Sequence, residues 1–180
     1  HGKVDKQIWY EESIRIPFLL SYPRRLAAGW KTDTLVNVVD VMPTLLGLAG
    51  LAVPKSVEGA DLSRALTARR EGGSDASLIA GYMPFAASGW SYPEWRGVGT
   101  KTHTYVESRE GPLELFDNRA EVYQLKNLVN DPASAALRAK FASRLRELLR
   151  KTGDQFESRQ TYWKRYGFEI GKQGAVKYNQ

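Results

Sequence analysis

The polar, glycine-rich stretch Glu71-Gly72-Gly73-Ser74-Asp75 divides this chain into halves that follow different hydrophobic patterns, and that division limits the possible folds most. Beyond it lie four short runs, Ser77 to Tyr82, Trp95 to Thr100, Thr102 to Glu107 and Leu113 to Phe116, with turn residues at Thr100-Lys101 and Glu110-Gly111-Pro112. Short runs rich in aromatic and β-branched residues, closely spaced by turns, predict an antiparallel meander. Asp131 then caps a long helix over 132–151, with Pro132 at its first position. Leu137, Phe141, Leu145, Leu148 and Leu149 form its apolar stripe, and Gly153 stops it. The last residues add Phe156, Tyr162, Trp163, Tyr166 and Phe168, enough aromatic surface to dock against the rest.

Ahead of the linker, Ile14 to Leu20 is an almost continuous apolar run containing Pro17, which predicts a strand buried on both faces. Leu35 to Val39 predicts a second short strand. Asp40 is then expected to cap a helix that tolerates Pro43 in its first turn, carries Leu45, Leu46 and Leu48, and ends at Gly50. A short helix is expected from Asp61 to Arg69, with Leu62 and Leu66 on one face. The expected fold class is α+β.

No apolar run reaches the roughly 18 residues of a membrane-spanning helix, so no membrane partner is expected. With no cysteine there is no disulfide and no thiolate chemistry. The formal charge is +6, and the residues from Asp131 onward, with eleven basic and five acidic side chains, carry all of it. Such a segment is either a solvated helix face or the footprint of an anionic partner.

One stretch adds chemistry. Lys6-Gln-Ile-Trp-Tyr-Glu-Glu-Ser-Ile-Arg-Ile-Pro-Phe-Leu-Leu follows His1-Gly2. This order resembles the type I sulfatase run H-G-x-x-x-K-x-x-x-Y-E-E-S-x-R-[IV]-P. Further along, Val39-Asp40-Val41-Met42-Pro43-Thr44-Leu45-Leu46-Gly47-Leu48-Ala49-Gly50 is similar to the same family's V-D-[IL]-x-P-T-L-L-x-L-A-G. Val53-Pro54 and Val57-Glu58-Gly59-Ala60-Asp61-Leu62 match its V-P and V-E-G-x-[SD]-L. Trp95-Arg96-Gly97-Val98 with Thr100-Lys101 and Tyr105 resembles its R-x-V-R-T hairpin, and Leu115-Phe116-Asp117 with Asn127-Leu128 resembles its closing L-[FY]-D…N-L. Gly99 stands where the family usually has arginine, and Glu121-Val122 replaces its Asp-Pro.

The resemblance implies the C-terminal portion of an enzyme with the α/β alkaline-phosphatase-like fold. Residues 1–70 would end the large domain, and residues 75–180 would form a subdomain with an antiparallel sheet, the helix over 132–151 and an aromatic tail. The implied reaction is sulfate ester hydrolysis. Its formylglycine nucleophile and divalent cation, usually calcium, would come from the upstream catalytic half, which is the implied partner, leaving no metal ligand in this chain. Lys6 would touch the sulfate group, where a fixed ammonium stabilises the charge that builds on the sulfuryl oxygens. His1 would serve as a proton donor to the leaving group or a neighbouring contact. The substrate would be a sulfated small molecule or saccharide, and this chain alone would be inactive. Loss of the upstream half would leave Ile14 to Leu20 uncovered, so exposed apolar surface is expected there.

Other residues carry less. His103 sits on an expected strand beside Lys101 and Tyr105 and is a secondary candidate for substrate contact. Ser21-Tyr22-Pro23-Arg24-Arg25 spells the [CS]-x-P-x-R pattern in which formylglycine forms, but it follows a strand and lacks the family's downstream L-x-T-G. It reads as a Pro-Arg turn. Glu11 and Glu12, neighbours on an extended chain, would face opposite ways, leaving Glu12 and Arg15 to brace the loop. Two alternatives remain: a phosphonate monoester or phosphodiester hydrolase of the same superfamily, and a non-catalytic polyanion-binding module using the basic helix. Nucleic acid is disfavoured, because that helix lacks interleaved aromatics.

Overall fold

A computed structural model describes residues 8–82 and 93–171. The described chain divides into two compact units, residues 16–77 and residues 8–15 with 78–171.

The second unit is built on a small antiparallel sheet of four strands, β1 (Ala76–Gly81), β2 (Trp95–Thr100), β3 (His103–Ser108) and β4 (Gly111–Asp117), in the order β1-β2-β3-β4. The expected meander is therefore present, and so is the α+β class. Val98 opposes Tyr105, Tyr105 opposes Leu115, and a bulge falls between Val106 and Glu107. Successive side chains on a strand point to opposite faces, so the sheet separates two layers.

On one face, helix α4 (Ala135–Thr152) lays Phe141, Leu145 and Leu149 against the sheet, with the Phe141 ring 6.5 Å from that of Tyr105. A 3-10 turn, Pro132–Ser134, precedes α4, and Asp131 caps it by accepting from the Ala133 N–H at 3.0 Å. Gly153, in the left-handed conformation (φ 69), closes the helix as expected. On the other face, Trp95, Val106 and Phe116 form a cluster with Ile8, Trp9 and Tyr10.

Two sequence motifs resolve into structural devices here. Asn127 uses its side chain as a surrogate strand for the edge of β4, accepting from Leu115 N–H (3.0 Å) and donating to Leu113 C=O (3.0 Å). Asp117 turns the chain by accepting from the backbone N–H groups of Arg119 and Ala120. The bond from Ala120 is the main cause that holds its carboxyl below the usual range.

The first unit contains helix α2 (Val38–Ala49) and the short α3 (Ser63–Thr67). Two sequence readings need correction. Leu35 to Val39 is no strand: residues 35–37 are irregular and α2 already begins at Val38. Asn37, rather than Asp40, is the N-cap, and Asp40 reaches back as the third helical residue to accept the Asn37 N–H at 2.9 Å. Pro43 thus lies inside the helix, one turn past Val39, whose carbonyl loses its usual donor. Gly59 lies against that carbonyl; a Cβ there would come within 1.9 Å of the oxygen. The other Asp40 oxygen accepts from Ala60 N–H (2.8 Å), so one carboxylate ties the helix start to the Val57–Leu62 loop.

Ile14 to Leu20 likewise forms no strand. Ile14 ends a one-turn helix, α1 (Glu11–Ile14), and residues 15–20 are irregular. A strand needs a neighbour to share its backbone hydrogen bonds, and none of the described strands pairs with this run. Ile16, Phe18 and Leu19 are exposed instead, Ile16 by 69% and Leu19 by 95%, as expected for an apolar run without cover.

Candidate functional site

The most constrained feature around the lysine motif is the attachment of its second half to the sheet. Trp9 meets Trp95 edge to face, with ring centres 5.4 Å apart and planes at 81°, and Tyr10 packs 5.8 Å from Phe116. Such pairs add about 0.5–1.5 kcal/mol beyond their buried area. Gly81 makes room for Trp95, since a Cβ at that position would lie 2.2 Å from the indole nitrogen.

Buried aromatic rings with polar tips need partners, and Glu114 supplies both. It accepts from Trp9 Nε1 (2.6 Å) and from the Tyr10 hydroxyl (3.0 Å). Gln124, which is buried, accepts the Glu11 N–H at 2.8 Å and donates to Asn118 at 3.0 Å, and Asn118 donates to Thr104 at 3.0 Å. A relay of side-chain amides thus fixes the backbone at residue 11, five positions after Lys6. Gln124 adopts a left-handed backbone (φ 53) to do so.

Within α1, Glu11 lies one turn before Arg15, 3.8 Å from its guanidinium. Burial raises the pKa of Glu11, with Arg15 opposing the shift.

Across the sheet a second polar cluster surrounds Arg96, a fully buried guanidinium (0% exposed). Its Nε donates to Asp154 at 2.5 Å, and its Nη1 donates to Trp95 C=O at 2.9 Å. The Tyr82 ring lies 3.8 Å from the guanidinium carbon and the Phe156 ring 4.7 Å. The Tyr162 hydroxyl donates to Asp154 at 3.1 Å. Burial alone would raise the Asp154 pKa, but the Arg96 hydrogen bond and the Phe156 N–H outweigh it and hold the carboxyl below the usual range. Burial and then the Asp154 charge push the Tyr82 phenol up to about 12.

Of the site residues expected from sequence, His1 and Lys6 lie outside the described residues. His103 is placed on the face that carries α4: its ring packs 5.3 Å from Phe141, its Nδ1 lies 2.7 Å from the Thr102 hydroxyl, and its Nε2 lies 3.8 Å from Asp117. Ser21-Tyr22-Pro23-Arg24-Arg25 forms a turn, with Arg25 and Leu26 N–H groups bonded to Tyr22 C=O. Arg25 donates to the Leu48 carbonyl at 2.7 Å, near the C-terminus of α2. Among the described residues no three His, Asp or Glu side chains gather in a group that could hold a metal.

Sequence reasoning missed Glu114, Gln124 and the Arg96–Asp154 pair. Glu114 gave one sign, an acid between Leu113 and Leu115 on an otherwise apolar strand. Adjacent Trp9 and Tyr10 gave the complementary one, two polar tips in need of an acceptor.

Comparison with known proteins bears on this arrangement. Residues 1–151 match the family of N-sulphoglucosamine sulphohydrolase C-terminal domains. An ulvan-active sulfatase of Formosa agariphila is 36% identical over 168 residues, covering 93% of this chain and 33% of that protein. An N-acetylglucosamine-6-O-sulfatase of Bacteroides thetaiotaomicron is 29% identical, covering 87% of this chain and 28% of its own length. A solved structure in complex with its substrate D-glucosamine-2-N,6-O-disulfate superposes with a TM-score of 0.76 at 25% identity, over 86% of this chain and 32% of that one. The chain therefore spans about a third of the length of these relatives. With the family match running from the lysine motif to the end of α4, this chain belongs to the sulfatases of the alkaline-phosphatase-like superfamily, in the part that forms their C-terminal region.

Proposed function

We propose that this chain is the C-terminal part of an enzyme that hydrolyses sulfate esters, and that it serves to hold Lys6 against the sulfate group. The observation that carries this reading is the fixation of residues 8–11, which closely follow the lysine, by Glu114, Gln124 and the Trp95–Phe116 cluster. A catalytic ammonium stabilises developing charge only if its position is set before the reaction begins. Lys6 contributes the charge, and His1 donates a proton to the leaving oxygen. His103, whose ring keeps some exposure beside Asp117, is the proposed substrate contact.

The nucleophile, a formylglycine, and the divalent cation, calcium, belong in this reading to the preceding part of the polypeptide, as does the cover over Ile16 to Leu19. Residues 1–70 complete the large domain of that enzyme and residues 75–180 its small one. The substrate is a sulfated saccharide, in keeping with the activities named for the relatives. Alone, the chain turns over no sulfate ester.

The test is hydrolysis by the complete polypeptide of 4-nitrophenyl sulfate beside a phenylphosphonate monoester. A kcat/KM that favours the sulfate supports the reading. Preference for the phosphonate would assign the protein to the phosphonate hydrolases of the superfamily, and turnover by residues 1–180 alone would contradict the division of labour.

A further inference from the structure

Four aromatic rings follow one another from the buried Arg96 into solvent. Tyr82, Tyr162, Tyr166 and Phe168 are spaced at 5.9, 6.5 and 6.3 Å between ring centres. The inner two are fixed, Tyr82 over the Arg96 guanidinium and Tyr162 through its hydroxyl on Asp154. The outer two open to solvent, Tyr166 being 63% exposed and Phe168 42%.

Local structure sets the row. Helix α5 (Arg159–Tyr166) is capped by Ser158, and its residues 162 and 166, one turn apart, share a face with ring planes only 11° from parallel. Gly167, left-handed at φ 66, ends the helix, and Phe168 N–H returns to the Trp163 carbonyl at 2.9 Å, bringing its ring beside Tyr166. Aromatic rings have only two side-chain torsions, and carrying them on a capped helix and its stop lowers the entropy lost on binding.

The chemistry of the rim identifies the ligand. Arg165 stands 5.8 Å from the Tyr162 ring and pairs with Glu157, and Lys164 is exposed next to it. They belong to the segment that carries the chain's entire positive excess. A row of rings, two nearly parallel and the third tilted by 48°, with cations at its edge suits a molecule with apolar C–H faces and anionic substituents around them. We infer that Tyr162, Tyr166 and Phe168, with Lys164 and Arg165, form a binding strip for a sulfated saccharide chain, an assignment whose anionic group rests on the sulfatase reading.

Affinity electrophoresis of this chain in gels containing heparin or chemically desulfated heparin tests it. The exposed positions make Tyr166→Ala/Phe168→Ala a variant that keeps the fold, checked by its urea midpoint; Tyr166→Ser alone is the fallback. The expected result is retention by heparin over its desulfated form, weakened about tenfold or more by the aromatic truncation, and nearly unchanged by Arg144→Glu/Arg150→Glu on α4. Equal retention of the truncated variant, equal binding of desulfated polymer, retention lost only on the α4 reversal, or displacement by a single-stranded oligonucleotide at equal concentration would each overturn it. Hydrolysis of 4-nitrophenyl sulfate by the unsubstituted complete polypeptide is a separate readout, of the hydrolase reading alone. Absent hydrolysis with intact, truncation-sensitive binding would fail the hydrolase reading and leave the strip in place.

Discussion

Glu114 accepts from two aromatic side chains at once, so replacing it removes two hydrogen bonds from a buried cluster. Glu114→Ala is expected to cost about 1–3 kcal/mol for each hydrogen bond removed, read from urea unfolding. In the complete enzyme Glu114→Gln is expected to lower kcat while leaving KM nearly unchanged, because the lysine segment loosens without losing its charge. Arg96 makes a sharper case. Asp154→Asn leaves a buried guanidinium without its counter-charge and is expected to cost about 3–5 kcal/mol at pH 6. The folded-state pKa of Asp154 is depressed, so its contribution is fully present above the ordinary value of about 3.9 and is lost as pH falls below that. Unfolding measured at pH 6 and pH 3 should therefore show the gap between wild type and Asp154→Asn narrowing at the lower pH; a constant gap would contradict it. At this scale the sequence marked Lys6 by its motif but hid Arg96, since nothing about an arginine on an edge-proximal strand announces a partner 58 residues away.

Among the elements, those that satisfy their own hydrogen bonds or pair with a near neighbour in sequence were legible. The meander has its turn residues between adjacent strands, and α4 carries its cap, stripe and stop within one segment. The start of α2 was misread because Val38 and Val39 look like strand residues, while the Asn37–Asp40 capping box that overrides them spans only three positions. Ile14 to Leu20 was misread for another reason: its pattern speaks of a sheet, and a strand exists only with a partner. Gly59 tests the α2 account. Gly59→Ala forces a Cβ onto the Val39 carbonyl and is expected to destabilise by about 1–3 kcal/mol, measured by thermal unfolding. Asn37→Ala should cost about 1 kcal/mol.

For the whole molecule, the apolar residues Ile16, Phe18 and Leu19 and the exposed Val38, Met42 and Leu45 of α2 mark the unit of residues 16–77 as a surface made to be covered. Phe18→Asp/Leu19→Lys is expected to reduce self-association and dye binding of this chain alone, yet to destabilise the complete polypeptide; stabilisation of both would contradict a covering role. The other unit has a different organisation, with the lysine-segment anchor on one face of its sheet and the basic helix and aromatic row on the other. The most direct measurement is steady-state sulfate ester hydrolysis by the complete polypeptide and its Lys6→Ala variant. The account predicts a kcat lower by roughly 10²–10³-fold with the fold intact; a kcat within twofold of wild type would contradict it.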